Sequence, residues 1–286
     1  MKLTQFLKNE KAALGLCTEN GIIDVAEEAR LRGLTAPATM LEAITGGEEA
    51  RQALEALEKG ATCFVTDPVL APVVTGGDKV LCIGLNYRQH AKECNLAIPA
   101  RPVLFNKFAS SLSADGQVIQ LLPEYKEYDH EAELVVVMGK KAKDVSPEEA
   151  LSYVFGYTCG NDMSTRDLQF ARGGQWVLSK ALDGFGPIGP CVVTAECLDP
   201  NNLAIQSRVN GEIRQNSNTS DMIFPVQELI SDLSHHLTLL PGDVIFTGTP
   251  QGVMHGYPAD KKNWLKPGDT VEIEIEGIGT LKNTLA

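Results

Sequence analysis

Polar and apolar positions change their period along this chain, and the period names the elements. In VEIEIEG, Glu272, Glu274 and Glu276 alternate with Val271, Ile273 and Ile275, which predicts a strand with one wet and one dry face. KVLCIGLNY and VFGYTCG read as further short strands. AALGLCTENGIIDVA predicts two strands around Asn20-Gly21, a dipeptide suited to hairpin turns. LPGDVIFTG (240–248) and KPGDTVEIEIEG (266–277) each set Pro-Gly-Asp before an apolar strand. Pro-Gly fits the centre of a type II turn, where proline fixes one φ and glycine supplies the positive one. Helical spacing is rarer. Ala50, Leu54 and Leu57 recur between Gly46 and Gly60, and NYRQHAKECN, SPEEALSYV and VQELISDLSHHL are the other helix candidates.

These elements predict a mainly β (α+β) protein with peripheral helices, not a doubly wound parallel sheet. The proline- and glycine-rich stretch Pro68 to Asp78 reads as a linker. It divides a small α+β N-terminal domain, 1–75, from a larger domain, 76–286. There is no repeat of twenty to fifty residues, so a solenoid or propeller is disfavoured.

One strand departs from the amphipathic pattern. In EYDHEAELVVVM, Glu127, Asp129, Glu131 and Glu133 fall on every second position, and Leu134 to Met138 are apolar on both faces. Glu131 and Glu133 share a face about 6.7 Å apart along the strand. At an effective dielectric of about 20 they would repel by roughly 2.5 kcal/mol. Carboxylates that converge where a strand enters a core call for a cation, and hard oxygens select Mg²⁺, Mn²⁺ or Ca²⁺. The alternative is an exposed acidic strand. Glu127 and Asp129 continue the same face outward and are assigned no ligand role.

Composition narrows the function. Lys and Arg number 25 and Asp and Glu 37, a formal charge of −12. Phosphate backbones and anionic membranes would repel such a chain, so no nucleic-acid or membrane partner is expected. The start, MKLTQFLKNEKAALG, lacks a secretory pattern. The seven cysteines contain no C-x-x-C pair, which fits free thiols in a cytoplasmic protein.

Other residues carry chemistry with alternatives open. Asp162 follows a strand in GYTCGNDMSTRD, as a third carboxylate or as a turn or cap residue. His90 and Glu93 lie three apart on one helix face, as a general base with its orienting carboxylate or as a surface pair. Lys180, a lone cation in QWVLSKALD, is either a snorkelling surface residue or an electrostatic stabiliser. GFGPIG (184–189) is not a dinucleotide loop, because a proline interrupts it and a strand pattern follows it.

In order, the segments KVLCIGLNYRQHAKE, PVLFNKFASSL, DHEAELVVVMGKKA, GYTCGNDMSTRDLQ, QWVLSKALDGFGPIGP, VNGEIRQ, LLPGDVIFTGTPQGV and LKPGDTVEIEIEGIGTLKN resemble the fumarylacetoacetate hydrolase family. The resemblance spans residues 78–284. It implies a mixed β-sandwich or roll, a homodimer, and a divalent metal, Mg²⁺ with Mn²⁺ or Ca²⁺ as alternatives, held by Glu131, Glu133 and Asp162. It also implies a His90–Glu93 dyad on a lid, an active-site Lys180, and Arg166, Gln169 and Thr249 lining the substrate site.

The implied activity is Mg²⁺-dependent hydrolysis of a C–C bond in a 2,4-dioxo acid: an acylpyruvate, a fumarylpyruvate-like acid or a diketo-deoxy sugar acid from aromatic or sugar-acid catabolism. A 2-hydroxymuconate-type isomerase, an oxaloacetate-type decarboxylase, or a metal-stabilised binding protein without activity are the alternatives. Some members acting on acylpyruvates or oxaloacetate carry arginine after the glycine of IGLNY. Here that position is Leu85, which argues against an oxaloacetate-like substrate.

Overall fold

The structure, a computed structural model, describes residues 1–171 and 173–286. The chain begins with β1 (Lys2–Lys8), β2 (Lys11–Thr18) and β3 (Gly21–Asp24), then α1 (Val25–Arg32), α2 (Met40–Thr45) and α3 (Gly47–Glu58). Next come β4 (Leu70–Ala71), β5 (Val80–Gly84), α4 (Arg88–Glu93), β6 (Val103–Lys107), β7 (Leu112–Ser113), β8 (Val118–Ile119), β9 (Tyr128–Asp129) and β10 (Ala132–Met138). The middle holds α5 (Pro147–Ala150), β11 (Val154–Asn161), β12 (Ser164–Thr165), α6 (Arg166–Ala171), α7 (Val177–Lys180) and β13 (Gly186–Thr194). The last part is β14 (Ala204–Val209), β15 (Glu212–Asn218), α8 (Val226–His236), β16 (Val244–Phe246), β17 (Thr270–Ile275) and β18 (Gly279–Leu285).

Strands dominate, as the pattern predicts. An eleven-stranded sheet runs β3-β2-β1-β13-β11-β10-β16-β5-β6, with β4 on β1 and β7 on β13. A five-stranded sheet runs β15-β14-β17-β18-β8, and β9 pairs with β12. The sheets are open and mixed, since β5 lies parallel to β16 while β10 is antiparallel to both neighbours. Gly242 (φ 86) and Gly268 (φ 91) supply the positive φ of the two Pro-Gly turns. The hairpin at Asn20-Gly21 forms with Thr18 opposite Gly21, and Ala50, Leu54 and Leu57 are the buried face of α3.

The central strand β10 explains the doubly apolar run. Leu134, Val136 and Met138 enter the core between the two sheets with Tyr157, Ile273, Ile275 and Leu281. Val135 and Val137 enter a second core with Leu3, Met40, Leu54 and Phe246, under the N-terminal helices. A strand buried on both faces has no polar side to show. On β17, by contrast, burial alternates residue by residue.

Two local expectations are corrected. The run 127–138 is not one strand: β9 ends at Asp129 and β10 begins at Ala132. At the break the Glu131 N–H donates to Asn161 Oδ1 and the Ala132 N–H to Gln215 Oε1, so side-chain amides replace ladder partners. The stretch 68–78 does more than connect. Its β4 pairs with β1, and Val73 and Val74 are fully buried.

Among the described residues no helix is long and apolar enough to cross a membrane.

Candidate metal centre and active site

Three carboxylates converge where β10 and β11 meet. Glu133 lies on β10 opposite Gly160, and Glu131 directly precedes that strand. Asp162 follows β11, with its N–H donating to the Glu131 carbonyl at 3.0 Å. All three side chains are buried, and each offers an oxygen within 4.8 Å of the others.

Three cations share the space unequally. Lys180 Nζ lies 2.7 Å from Glu131 Oε2 and 2.9 Å from Asp162 Oδ2. Arg166 donates to Glu131 Oε1, to Asp129 Oδ2 and to Gln169 Oε1. Lys107, fully buried, lies 2.7 Å from Asp162 Oδ1 and also donates to the carbonyls of Lys180 and Phe185. Burial pushes the Glu131 carboxyl up, but Lys180 and Arg166 outweigh it and hold the group well below the usual carboxylate range. The Lys180 ammonium is disfavoured by burial, yet Asp162 and Glu131 raise its pKa above the ordinary value.

Glu133 has no such partner. Among the described residues it forms no ion pair, and only the Gly248 N–H, 2.7 Å from Oε2, donates to it. Burial and then the charges of Asp162 and Glu131 push its carboxyl well above the normal value. A buried carboxylate beside two others, without a cation of its own, is the deficit a divalent ion makes good. Asp162 Oδ1 also lacks a hydrogen-bond donor despite the nearby ammonium, because the Lys107 contact is an ion pair without hydrogen-bond geometry. The donor set is all hard oxygen, which fits Mg²⁺, Mn²⁺ or Ca²⁺.

Residues 247–256 close the site from above. The Gly248 N–H reaches Glu133, the Gly252 N–H donates to Glu93 Oε2 at 2.9 Å, and the Met254 and His255 N–H groups donate to Asp129 at 2.8 and 3.0 Å. Thr249 is held by Gln215 Nε2 at 2.8 Å, and the same amide caps the Pro250 carbonyl. On α4, His90 Nδ1 and Glu93 Oε1 are 2.8 Å apart. Burial would lower the His90 pKa, but hydrogen bonds to Cys94 and Glu93 and the charge of Glu131 raise it to about 9. A ring that holds its proton more tightly than a free imidazole is suited to donate it, and accepts one back only after giving it up.

All nine sequence candidates therefore fall in one region, with Arg166 and Gln169 on α6, Lys180 on α7 and Thr249 in the closing segment. Lys180 is buried, so its surface alternative falls away. Three residues were missed. Lys107 had only its position in PVLFNKF to mark it, and Gln215 had no signal at all. Asp129 was placed on an outward face, yet it is fully buried and holds Arg166 and the closing segment.

Residues 79–286 match the family model for the fumarylacetoacetate (FAA) hydrolase C-terminal domain. The mitochondrial oxaloacetate tautomerase Fahd2a of Rattus norvegicus is 42% identical over 294 aligned positions, covering 99% of this chain and 91% of that protein. The fumarylacetoacetate hydrolase of psychrophilic Exiguobacterium antarcticum superposes with a TM-score of 0.86 at 35% identity, covering 100% of this chain and 99% of that one. The 5-carboxymethyl-2-hydroxymuconate delta-isomerase of Mycobacterium smegmatis superposes with a TM-score of 0.79 at 32% identity and the same coverage. This protein is an enzyme and belongs to the fumarylacetoacetate hydrolase family.

Proposed function

We propose that the site catalyses proton transfer at the carbon beside the keto group of a small 2-oxo dicarboxylic acid, interconverting the enol and keto forms of oxaloacetate. The observation that carries this reading is the His90–Glu93 pair, set beside the carboxylate cluster with the imidazole raised to about 9. It is supported by the similarity over nearly the whole chain to a protein named an oxaloacetate tautomerase.

A Mg²⁺ ion held by Glu131, Glu133 and Asp162 would polarise the keto oxygen and acidify the neighbouring C–H. The chain's own residues do the rest. His90 delivers a proton from Nε2 to the enol carbon and recovers one from the enol hydroxyl through water. Glu93 on Nδ1 holds the ring in place and balances its charge. Thr249, Gln169 and Arg166 orient the carboxylates. Leu85, half-buried at φ 54 between β5 and α4, adds no charge. Its lack of charge counts against oxaloacetate, and the similarity to a protein named an oxaloacetate tautomerase outweighs it in this reading, with carboxylate binding left to those three residues.

A second reading is hydrolytic C–C cleavage of a 2,4-dioxo acid, favoured by the similarity to the Exiguobacterium hydrolase. One assay separates the two. Oxaloacetate enol and an acylpyruvate are each followed by loss of enol absorbance, with products identified by NMR. Keto oxaloacetate formed without CO₂ or pyruvate supports tautomerisation. Cleavage of the acylpyruvate into two acids, with no acceleration of oxaloacetate ketonisation, would replace it. In either reading His90→Gln lowers kcat by about 10²- to 10⁴-fold, the usual contribution of a positioned acid–base group.

A homodimer is part of the same proposal. Edge strand β6 and its approach expose Leu96, Ile98, Val103 and Leu104, an apolar rim suited to a second copy. Sedimentation of the full chain at a monomer mass would reject it.

A further inference from the structure

Among the described residues two groups of three His, Cys, Asp or Glu side chains converge closely enough to hold an ion, and only one of them is the carboxylate cluster. The other lies on α4 and its C-cap. His90, Glu93 and Cys94 stand at i, i+3 and i+4 on one helix face. His90 Nδ1 lies 2.8 Å from Glu93 Oε1 and 3.9 Å from Cys94 Sγ, and all three ligand atoms fall within 4.8 Å of one another. We infer that these three atoms form a second metal site, for a borderline-soft divalent ion such as Zn²⁺, and that filling it takes the proton-transferring pair out of use.

The two donor sets differ in kind. Three carboxylates suit Mg²⁺, whereas imidazole, thiolate and one carboxylate are a Zn²⁺ set, with a fourth position left for water. Bonds of about 2.0–2.3 Å in a tetrahedron put such ligands roughly 3.4–3.6 Å apart. The observed pairs need only small adjustments to reach that: Glu93 Oε1 outward, Cys94 Sγ inward. Glu93 Oε2 stays anchored on the Gly252 N–H throughout. Cys94 is half-buried, within reach of solvent.

Binding has a defined cost to the dyad. Cys94 releases its thiol proton and His90 its Nδ1 proton to water, and the thiolate and the freed Nδ1 lone pair bind the ion. The ring is then neutral, with its one proton on Nε2 and no contact with the Glu93 proton acceptor. It can neither act as a base nor be recharged.

The inference rests on the proposed role of His90 and Glu93 for its effect on turnover, but not for the binding itself. The test uses the full chain saturated with Mg²⁺ and titrated with Co²⁺, which reports a thiolate ligand by a charge-transfer band in the near ultraviolet. Wild type is expected to show the band, saturating at one equivalent, with turnover falling in step. Cys94→Ser and Cys94→Ala are each expected to lose the band and to weaken inhibition by about 10-fold or more, as even outer-partner losses do at metal sites. No band in wild type, or a band that survives in both variants, overturns the site. A band that forms while turnover is untouched upholds the site and overturns the dyad's place in the reaction.

Discussion

The backbone N–H of Gly252 meets Glu93 Oε2 at 2.9 Å, tying the helix that carries His90 to the segment that closes the site. Four residues on, Gly256 leaves room for the same carboxylate: a Cβ there would lie 2.7 Å from Glu93 Cδ. Gly256→Ala therefore acts as a steric probe of the dyad. Its backbone does not require positive φ, so strain is not the cause of any effect. Turnover should fall while Mg²⁺ affinity, read by calorimetry, stays at the wild-type value. Unchanged turnover would show that Glu93 has slack to spare.

Glu133 is the cluster's one carboxyl without a cationic partner, and burial with the charges of Asp162 and Glu131 already disfavours its ionised form. Glu133→Gln therefore replaces it with a neutral group of nearly the same shape. The metal-free variant should melt no lower than metal-free wild type. Wild type should gain thermal stability on adding Mg²⁺, by about 2.7 kcal/mol at a hundredfold excess over Kd. The variant should gain almost none. An undiminished Mg²⁺ shift in Glu133→Gln would remove this residue from the ligand set.

Asp129 accepts from Arg166, Met254 and His255 inside the protein. In Asp129→Asn, Arg166 loses a charged partner and the closing segment one of its acceptors. Removing one member of a buried pair costs roughly 3–5 kcal/mol, here as an upper bound because Glu131 still holds the guanidinium. Chemical denaturation should register the loss. Steady-state kinetics should show a higher KM with Mg²⁺ binding retained, since no ligand is touched.

Glu28 offers a pH test far from the site. Hydrogen bonds from the Thr62 and Cys63 backbones and from Arg32, led by that of Thr62, overcome the opposing effect of burial and bring its pKa from 4.5 to about 2. A carboxyl depressed in the folded state stabilises above its unfolded pKa and loses that contribution as pH falls through the folded one. Wild type should thus lose stability between about pH 4.5 and 2, and Glu28→Gln should flatten that limb of the curve while lowering the plateau above it. Parallel acid limbs in the two proteins would contradict the assignment.

What the chain disclosed in advance follows from how local each feature is. Alternation on β17, the Pro-Gly turns and the α3 stripe depend on neighbours in sequence, and all three were readable there. The Glu131–Glu133 pair was legible because two carboxylates stood against a doubly apolar strand. Asp162 needed the family resemblance, since Asn-Asp after a strand is also ordinary turn chemistry. Lys107 and Gln215 act through partners 55 or 83 residues away, the separations of Asp162 and Ala132, and no local pattern encodes such pairs. Asp129 was misplaced because strict alternation assumes an unbroken strand, and the chain breaks at His130 and Glu131.

The closing segment has a consequence for folding. Its bonds to Glu133, Asp129 and Glu93 span 115, 125 and 159 residues. Contacts of that separation repay their loop-closure entropy only after the intervening strands are placed. The sheet that carries Glu133 has pairings of longer span still, β5 with β16 and β1 with β13. In refolding, Mg²⁺ affinity and catalytic competence should therefore not precede the β circular dichroism that reports those pairings.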